Sequence, residues 1–232
     1  MNNAQEALLE DIVDRKSITM KYLFYPIAIL LLALTCAEFF PVLMYACKHI
    51  AVYQWLLYGM GAYFIIRRFN FFSRNEQWLQ TTSHEATHAI VGMMFFHKIH
   101  SLQANEDHGV VYHSGRKIGD IFISLAPYCL PILTYAFLLL RIMGANKMLY
   151  VFDLFIGFTL AFHLVCFVSQ TRLYQPDIKG QGYIKSFLFL FVAWFFNATI
   201  ILLSIRKGIV GAVTYIFPKY WNDIIDWWNL IF

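Results

Sequence analysis

The sequence predicts an all-α membrane protein with five or six transmembrane helices and a short β-hairpin. The first reason is composition: 59% of the residues are hydrophobic, 19% are aromatic and only 14% are charged, whereas soluble domains carry more charge and less apolar surface. The second reason is a series of apolar runs, most of them long enough to span a bilayer. The third is one short region of alternating apolar and polar residues.

The apolar runs predict the helices in chain order. Five runs are free or nearly free of charge, at 22–47, 50–66, 121–140, 154–170 and 186–205, and a more polar sixth segment lies at 77–96. The first run contains Glu38 and Pro41, so it forms either a kinked helix or a helix followed by an interfacial piece. Glu38 then either faces a polar partner inside the membrane or lies at its interface. Pro127 and Pro131 predict a kink in the third run.

The region after the sixth segment has a different pattern. Residues 99–103 and 110–113 alternate between apolar and polar side chains, and the turn-forming residues 105–109 separate them. Alternation with a period of two is typical of strands, so this region is predicted to be a β-hairpin. A polar connecting loop is the alternative.

The chain is predicted to be one membrane domain with two flanking segments. Residues 1–21 form a polar N-terminal segment, 22–208 form the membrane domain, and 209–232 form an amphipathic segment at the membrane interface. The net charge is +4 and the basic residues are scattered between apolar runs, so the expected partner is a lipid bilayer and not nucleic acid. The four cysteines lie within apolar runs at wide spacings, which indicates neither a disulfide framework nor a zinc site.

One five-residue motif suggests metal chemistry, His84-Glu85-Ala86-Thr87-His88. In a helix, residues four apart share one face, so His84 and His88 can bind the same metal ion. Two neutral imidazoles hold zinc while a coordination position stays open for water, and Glu85 is placed to take a proton from that water. The alternative is a polar helical turn whose two histidines are merely hydrogen-bonded.

Four features together resemble the site-2 protease family of intramembrane zinc metallopeptidases. They are the H-E-x-x-H motif entering an apolar helix, the hairpin-like segment, a Leu-Ala-Pro-Tyr stretch at 125–128, and an acidic residue after a proline near the final helices. The resemblance covers about 78–205. It implies an intramembrane endopeptidase that binds one zinc ion per chain, with His84, His88 and Asp177 as metal ligands and Glu85 as catalytic base.

The third ligand has a rival. Here Gln175 and Pro176 directly precede Asp177, whereas the family signature has an asparagine and a proline several residues before an Asp-Gly pair. Asp153 is the alternative ligand, because in a fully crossing arrangement it lies at the depth of the two histidines. On the resemblance we favour Asp177. His163 is expected to be a hydrogen-bonded core histidine, with ligation or support of a ligand as its alternatives.

Membrane topology bears on the third ligand, because zinc bonds of about 2 Å force all ligands to one depth. If all six segments cross, His84 and Asp177 lie near opposite faces and cannot share a metal ion. If the segment at 77–96 penetrates without crossing, both approach from the cytoplasmic side. The basic residues then split 12 inside to 6 outside, against 11 to 7 when all segments cross, so the positive-inside rule slightly favours the non-crossing arrangement.

The leading hypothesis is a zinc-dependent intramembrane endopeptidase, a multi-pass protein of the bacterial cytoplasmic membrane. Its substrate is expected to be a membrane-embedded or membrane-proximal protein segment, presented as an extended strand beside the hairpin. One alternative is a zinc-binding membrane scaffold that cleaves nothing. The other is a transporter or structural membrane protein in which the motif is accidental.

Overall fold

The structure, a computed structural model, is mostly helical with one two-stranded sheet. It describes residues 3–69, 75–105, 109–115 and 119–231, with side chains described between 23 and 230. In order, the elements are α1 (Asn3–Lys48), α2 (Ile50–Arg68), α3 (Glu76–Met94), β1 (Lys98–Ala104), β2 (Gly109–Ser114), α4 (Asp120–Cys129), α5 (Ile132–Met143), a 3₁₀ turn (Asn146–Met148), α6 (Leu149–Gln170), α7 (Pro176–Gln181) and α8 (Tyr183–Ile231).

Three helical segments in the described part of the chain are long and apolar enough to cross a membrane, Leu23–Lys48, Asn146–Gln170 and Tyr183–Leu230. Helices α4 and α5, which meet at an angle of 81°, form a fourth candidate if the bent pair is one span. The described residues therefore contain three or four candidate spans, whereas the sequence predicts five or six. Tyrosines, a glutamine and two terminal arginines reduce the hydropathy of α2, and α3 carries too many polar side chains.

Helices α2 and α6 pack so closely that their backbones touch. Gly59 and Gly157 lie at the contact, where a Cβ atom on Gly59 would stand 1.9 Å from the carbonyl oxygen of Leu154 and one on Gly157 would stand 1.9 Å from that of Leu56. Small residues commonly permit such approaches between membrane helices. Further along, the ring of Tyr63 packs against aromatic side chains of α6, so the two helices run in the same direction.

Helices α1 and α8 form a second closely packed pair. The ammonium of Lys185 lies 5.3 Å from the ring centre of Phe24, and the guanidinium of Arg206 lies 4.4 Å from that of Tyr45, so these helices also run parallel. At Gly208 the backbone leaves helical geometry, with φ 72° and ψ 162°. A positive φ of this size suits glycine. The end of the membrane domain at residue 208 stays a prediction.

Beyond the break the chain folds back onto the bundle. Ala212 and Ile216 are fully buried in a cluster with Ile200 of the preceding part of α8. This segment also gives Glu38 its partner, because Lys219 Nζ lies 3.4 Å from Glu38 Oε1 and the Glu38 side chain is buried. The structure thus shows a polar partner for Glu38, while the depth of Glu38 in a membrane stays a prediction. The interfacial location of 209–232 stays a prediction.

The predicted β-hairpin is confirmed. Strands β1 and β2 pair antiparallel, with Lys98 opposite Ser114 at one end and Ala104 opposite Gly109 at the other. The turn residues 106–108 lie outside the described part of the chain. The hairpin packs against α3 and leads the chain back to the start of α4.

Two elements that flank the hairpin begin at the same end of the bundle. Helix α3 begins beside the end of α2, where Arg67 Nε lies 2.8 Å from Glu76 Oε1. Helix α4 begins beside α7, where Gln181 Nε2 donates to Ser124 Oγ at 3.3 Å, and α7 closely follows α6. Because α2 and α6 run in the same direction, their final residues lie at one end. The segment from α3 to β2 therefore enters and leaves at one end, as the non-crossing arrangement requires.

We predict that Gly59→Ala destabilises the protein strongly, because the new Cβ overlaps a backbone carbonyl that cannot move without separating α2 from α6. Overpacking of this kind costs about 1–3 kcal/mol or more. Thermal unfolding in detergent measures the effect. Gly61→Ala is the matched control on the same helix, since a Cβ there meets nothing within 4 Å; equal melting temperatures for the two variants would contradict this packing.

Candidate active site

The H-E-x-x-H motif lies in the middle of α3, as its spacing predicts. The rings of His84 and His88 are 4.8 Å apart between centroids, and both side chains are largely buried but line the same cavity. The hydroxyl of Thr87 donates to the carbonyl of Ser83 at 2.7 Å, which satisfies this buried polar group within the helix. Because both histidines are largely buried and line one cavity, they face the interior of the protein.

Both imidazoles are oriented through their Nδ1 atoms. His88 Nδ1 donates to the carbonyl oxygen of Ile123 at 2.7 Å, and His84 Nδ1 donates to Gln170 Oε1 at 3.1 Å. A neutral ring that donates from Nδ1 carries its lone pair on Nε2, and such a hydrogen bond is typical of metal-binding histidines. The two Nε2 lone pairs are thus available to a shared partner.

Asp177, on α7, lies opposite the two Nε2 atoms. Its Oδ2 is 3.7 Å from His84 Nε2 and 3.5 Å from His88 Nε2. Pro176 occupies the first turn of α7, where its missing N–H costs no helical hydrogen bond. The fully buried side chain of Ile178 packs in the core and anchors this short helix. The structure therefore brings the carboxylate predicted from the resemblance to the two histidines of the motif.

The three side chains fit a zinc ion. The candidate ligand atoms of His84, His88 and Asp177 all lie within 4.8 Å of one another. Zinc bonds to nitrogen and oxygen are about 2.0–2.2 Å long, so tetrahedral ligand atoms stand roughly 3.3–3.6 Å apart. The two nitrogen-to-carboxylate distances are close to this range. The set also leaves a fourth tetrahedral position for water or substrate, as catalytic zinc sites do.

The carboxylate of Asp177 and the neighbouring imidazoles shift the pKa values in this cluster. Burial raises the pKa of Asp177, but the close approach of the His84 and His88 imidazoles outweighs burial, and the net shift of that pKa is downward. Burial lowers the pKa of His88, yet Asp177, Glu85 and the backbone hydrogen bond together outweigh burial, and the net shift is upward. Asp177 is therefore an ionised, negatively charged group, which suits a divalent cation.

Glu85 lies beside the two histidines and is buried. Burial is the main cause of its raised pKa, the two imidazoles lower it, and Asp177 raises it further. Gly109, the first residue of β2, packs directly on this side chain: a Cβ there would stand 2.4 Å from Glu85 Cγ and Oε1. The lack of a side chain at Gly109 therefore lets the hairpin approach the carboxylate closely.

These groups surround one cavity of about 580 Å³. Its walls come from α3, β2, the start of α4, the end of α6 and α7, and it is lined by Thr81, His84, Glu85, His88, Gly109, Val110, Val111, His113, Ile123, Ser124, Gln170, Gln175, Pro176 and Asp177. The polar residues of the predicted site are therefore gathered in one place. The hairpin forms one wall of this cavity.

His113 is a cavity residue to which the sequence assigned no role. Its Nδ1 lies 2.9 Å from His97 Nδ1. Burial lowers the pKa of His113, and the neighbouring His97 and His88 lower it further. A neutral His113 can share one proton with His97 across this contact.

Asp153, the alternative third ligand, lies away from the two histidines of the motif. Asp153 Oδ1 is 2.8 Å from Arg141 Nε, and the same guanidinium donates to the carbonyl of Ile205. Arg141 and Ile205 lie at the opposite end of the bundle from α7. His163 is buried with its ring 5.3 Å from that of Trp194, and its Nε2 has no hydrogen-bond partner among the described residues. The structure brings neither Asp153 nor His163 to the histidine pair.

Several residues of the site could not be predicted from the sequence. Gln170 ends an apolar helix, and Ile123 contributes only a backbone carbonyl, so neither gives a signal in the sequence. Tyr128 belongs to the Leu-Ala-Pro-Tyr stretch, and its hydroxyl donates to Asp177 Oδ2 at 3.0 Å. Its position beside two helix-breaking prolines could have indicated a special role for Tyr128, but no spacing in the sequence connects this tyrosine to residue 177.

The fold and the site define a class of protein: a multi-helix membrane protein with an H-E-x-x-H helix facing a buried polar cavity. Comparison with protein families is consistent with this description. The Peptidase M50B-like family matches residues 57–215, and the chain belongs to this family, which is related to the site-2 proteases. The resemblance noted in the sequence is confirmed, and membership implies zinc as the metal. Searches of curated proteins and of solved structures gave no match.

We predict that the purified protein contains about one zinc ion per chain and that His84→Ala and Asp177→Asn abolish its binding, because three ligands are the usual minimum for such a site. Inductively coupled plasma mass spectrometry of detergent-purified protein measures this. Asp153→Asn is the matched carboxylate control and should retain zinc. Zinc loss in Asp153→Asn with retention in Asp177→Asn would reverse the assignment of the third ligand.

Proposed function

We propose that this protein is a zinc-dependent endopeptidase that cleaves membrane-embedded or membrane-proximal segments of other proteins. One observation supports the proposal above all: His84, His88 and Asp177 converge beside Glu85 in a single cavity. The family is one of peptidases. A cavity with a metal-ligand triad and an adjacent carboxylate contains the groups that peptide hydrolysis requires.

The residues have distinct roles in this reaction. A bound zinc ion supplies Lewis acidity, which activates water and polarises the scissile carbonyl. Glu85 takes the proton from the attacking water and returns it to the leaving amine nitrogen. Burial raises the pKa of Glu85, so this carboxylate is a stronger base than a solvated one. Gln170 and the carbonyl of Ile123 keep the imidazoles in one tautomer while this happens.

The substrate is proposed to bind as an extended chain. In a helix the backbone carbonyls are already hydrogen-bonded and shielded by side chains, so a transmembrane segment must unwind before hydrolysis. Residues Gly109, Val110 and Val111 of β2 line the cavity, and a strand edge can pair with an unwound peptide. The hairpin therefore offers backbone groups that replace the hydrogen bonds lost on unwinding.

The location of the site suits this substrate. The cavity lies at the end of the bundle where α2 and α6 finish and where α3 and α8 begin. An N-terminus in the cytoplasm puts this end on the cytoplasmic side, in accordance with the positive-inside preference. We therefore propose that the enzyme acts on substrate segments near the cytoplasmic face; its location in a bacterial cytoplasmic membrane stays a prediction.

Glu85→Gln is predicted to reduce peptide hydrolysis by about 10²–10⁴-fold, because it removes the general base, while zinc content is unchanged. Cells that produce wild type or variant are compared by sequencing the new N-termini in their membrane proteins. Glu76→Gln is the matched control: it removes a carboxylate of the same helix, and the partners of this carboxylate are Arg67, Tyr63 and Gln80.

The outcomes separate the proposed enzyme from a zinc-binding scaffold. Membrane-protein fragments that appear with wild type and Glu76→Gln, but not with Glu85→Gln, support an endopeptidase. If wild type binds zinc and the fragments, or any cellular effect of the protein, are the same with Glu85→Gln, then hydrolysis is not its function.

Gly109→Ala is predicted to lower turnover by about 10-fold or more without loss of zinc. The new Cβ displaces Glu85, which it would otherwise overlap, and small misplacements of catalytic groups cost large factors in rate. Turnover is followed by cleavage of a substrate found in the preceding experiment. Gly180→Ala on α7 is the control, since a Cβ there meets nothing within 4 Å. Equal turnover in the two variants would show that the hairpin does not position Glu85.

A further inference from the structure

Tyr128 stands at the break between α4 and α5. Helix α4 ends at Cys129, Pro131 follows, and α5 continues at an angle of 81°. A break of this kind frees backbone carbonyls, and in an apolar environment these need other donors. The indole Nε1 of Trp194 donates to the carbonyl of Tyr128 at 2.9 Å, and Asn197 Nδ2 donates to that of Cys129 at 3.0 Å.

The donors of α8 are themselves fixed. Asn197 is buried, and its Oδ1 accepts a hydrogen bond from the hydroxyl of Tyr135 on α5. Trp194 packs against the rings of His163 and Phe167 of α6. The broken end of α4 is therefore held from α5, α6 and α8, and its backbone has little freedom to shift.

The side chain of Tyr128 extends from this fixed point to the candidate metal ligand. It is 1% exposed, and its hydroxyl donates to Asp177 Oδ2 at 3.0 Å. This is the same oxygen that lies 3.7 Å and 3.5 Å from the two imidazoles. The ring of Tyr128 also meets the ring of His84 edge-on, with 5.0 Å between centroids. One side chain thus contacts both a histidine and the carboxylate of the cluster.

We propose that Tyr128 is a positioning residue that holds Asp177 in its metal-binding orientation, and that Trp194 holds Tyr128 in turn. The inference rests on the proposed zinc site. Without the hydroxyl, the Asp177 carboxylate can rotate away from the two Nε2 atoms, because α7 is short. Hydrogen bonds of this kind to metal ligands typically change metal affinity by about 10–100-fold.

The test measures zinc affinity of the full-length protein in detergent by competition with a chromogenic chelator. Tyr128→Phe keeps the ring and removes only the hydroxyl, and we expect affinity to fall by about 10–100-fold. The visible absorption of the cobalt-substituted protein should also change, because it reports ligand geometry. Tyr63→Phe is the matched control, since Tyr63 is equally buried and donates to the carboxylate of Glu76; its affinity and cobalt spectrum should match wild type.

Trp194→Phe provides a second variant if Tyr128→Phe does not fold, as judged by size exclusion and thermal unfolding. It should weaken zinc binding in the same direction, and the double variant should be no weaker than Tyr128→Phe alone, because the two residues act in series. Wild-type affinity and cobalt spectrum in Tyr128→Phe, or in Trp194→Phe if Tyr128→Phe does not fold, would overturn the proposal while the zinc site stands. If wild type and His84→Ala are equally devoid of zinc, the proposed function itself fails.

Discussion

The short bond between a metal ion and its ligands constrains the whole chain. Two candidate ligands lie on α3 and the third on α7, and zinc tolerates only about 2 Å to each. Helix α3 must therefore meet the loop that follows α6. Because α2 and α6 run in the same direction, this meeting requires the segment from α3 to β2 to return to the end at which it entered. The hairpin is the element that makes this return.

A segment that returns without crossing has backbone N–H and C=O groups that need hydrogen-bond partners, and the rest of the fold supplies them. Non-helical backbone inside a membrane protein must find partners within the protein or in water. The hairpin strands pair with each other, and the inner side of the hairpin borders a polar cavity. The break between α4 and α5 instead takes its donors from α8. The polar cavity therefore lies on one side of the break, and the apolar helix bundle lies on the other.

Much of the site was predictable because it depends on local rules. The H-E-x-x-H spacing fixes which face of a helix the histidines share, and the alternation at 99–103 and 110–113 fixes the strands. Fewer candidate spans qualify than were predicted, because apolar runs such as 50–66 include aromatic and polar residues. Asp177 came from a resemblance, since no local pattern connects α7 to α3. Gln170 and Gly109 act through tertiary contacts alone, which a single sequence does not encode in any short pattern.

The pairing of charges distinguishes Asp177 from Glu38 and Asp153. A charge at membrane depth is costly unless another group compensates it. Glu38 has Lys219, and Asp153 has the guanidinium of Arg141. Asp177 has no Lys or Arg partner among the described residues, and two imidazoles and one hydroxyl lie within 3.7 Å of its Oδ2. These surroundings suit a cation that the two histidines can also bind, and they support the proposal that Asp177, and not Asp153, is the third ligand.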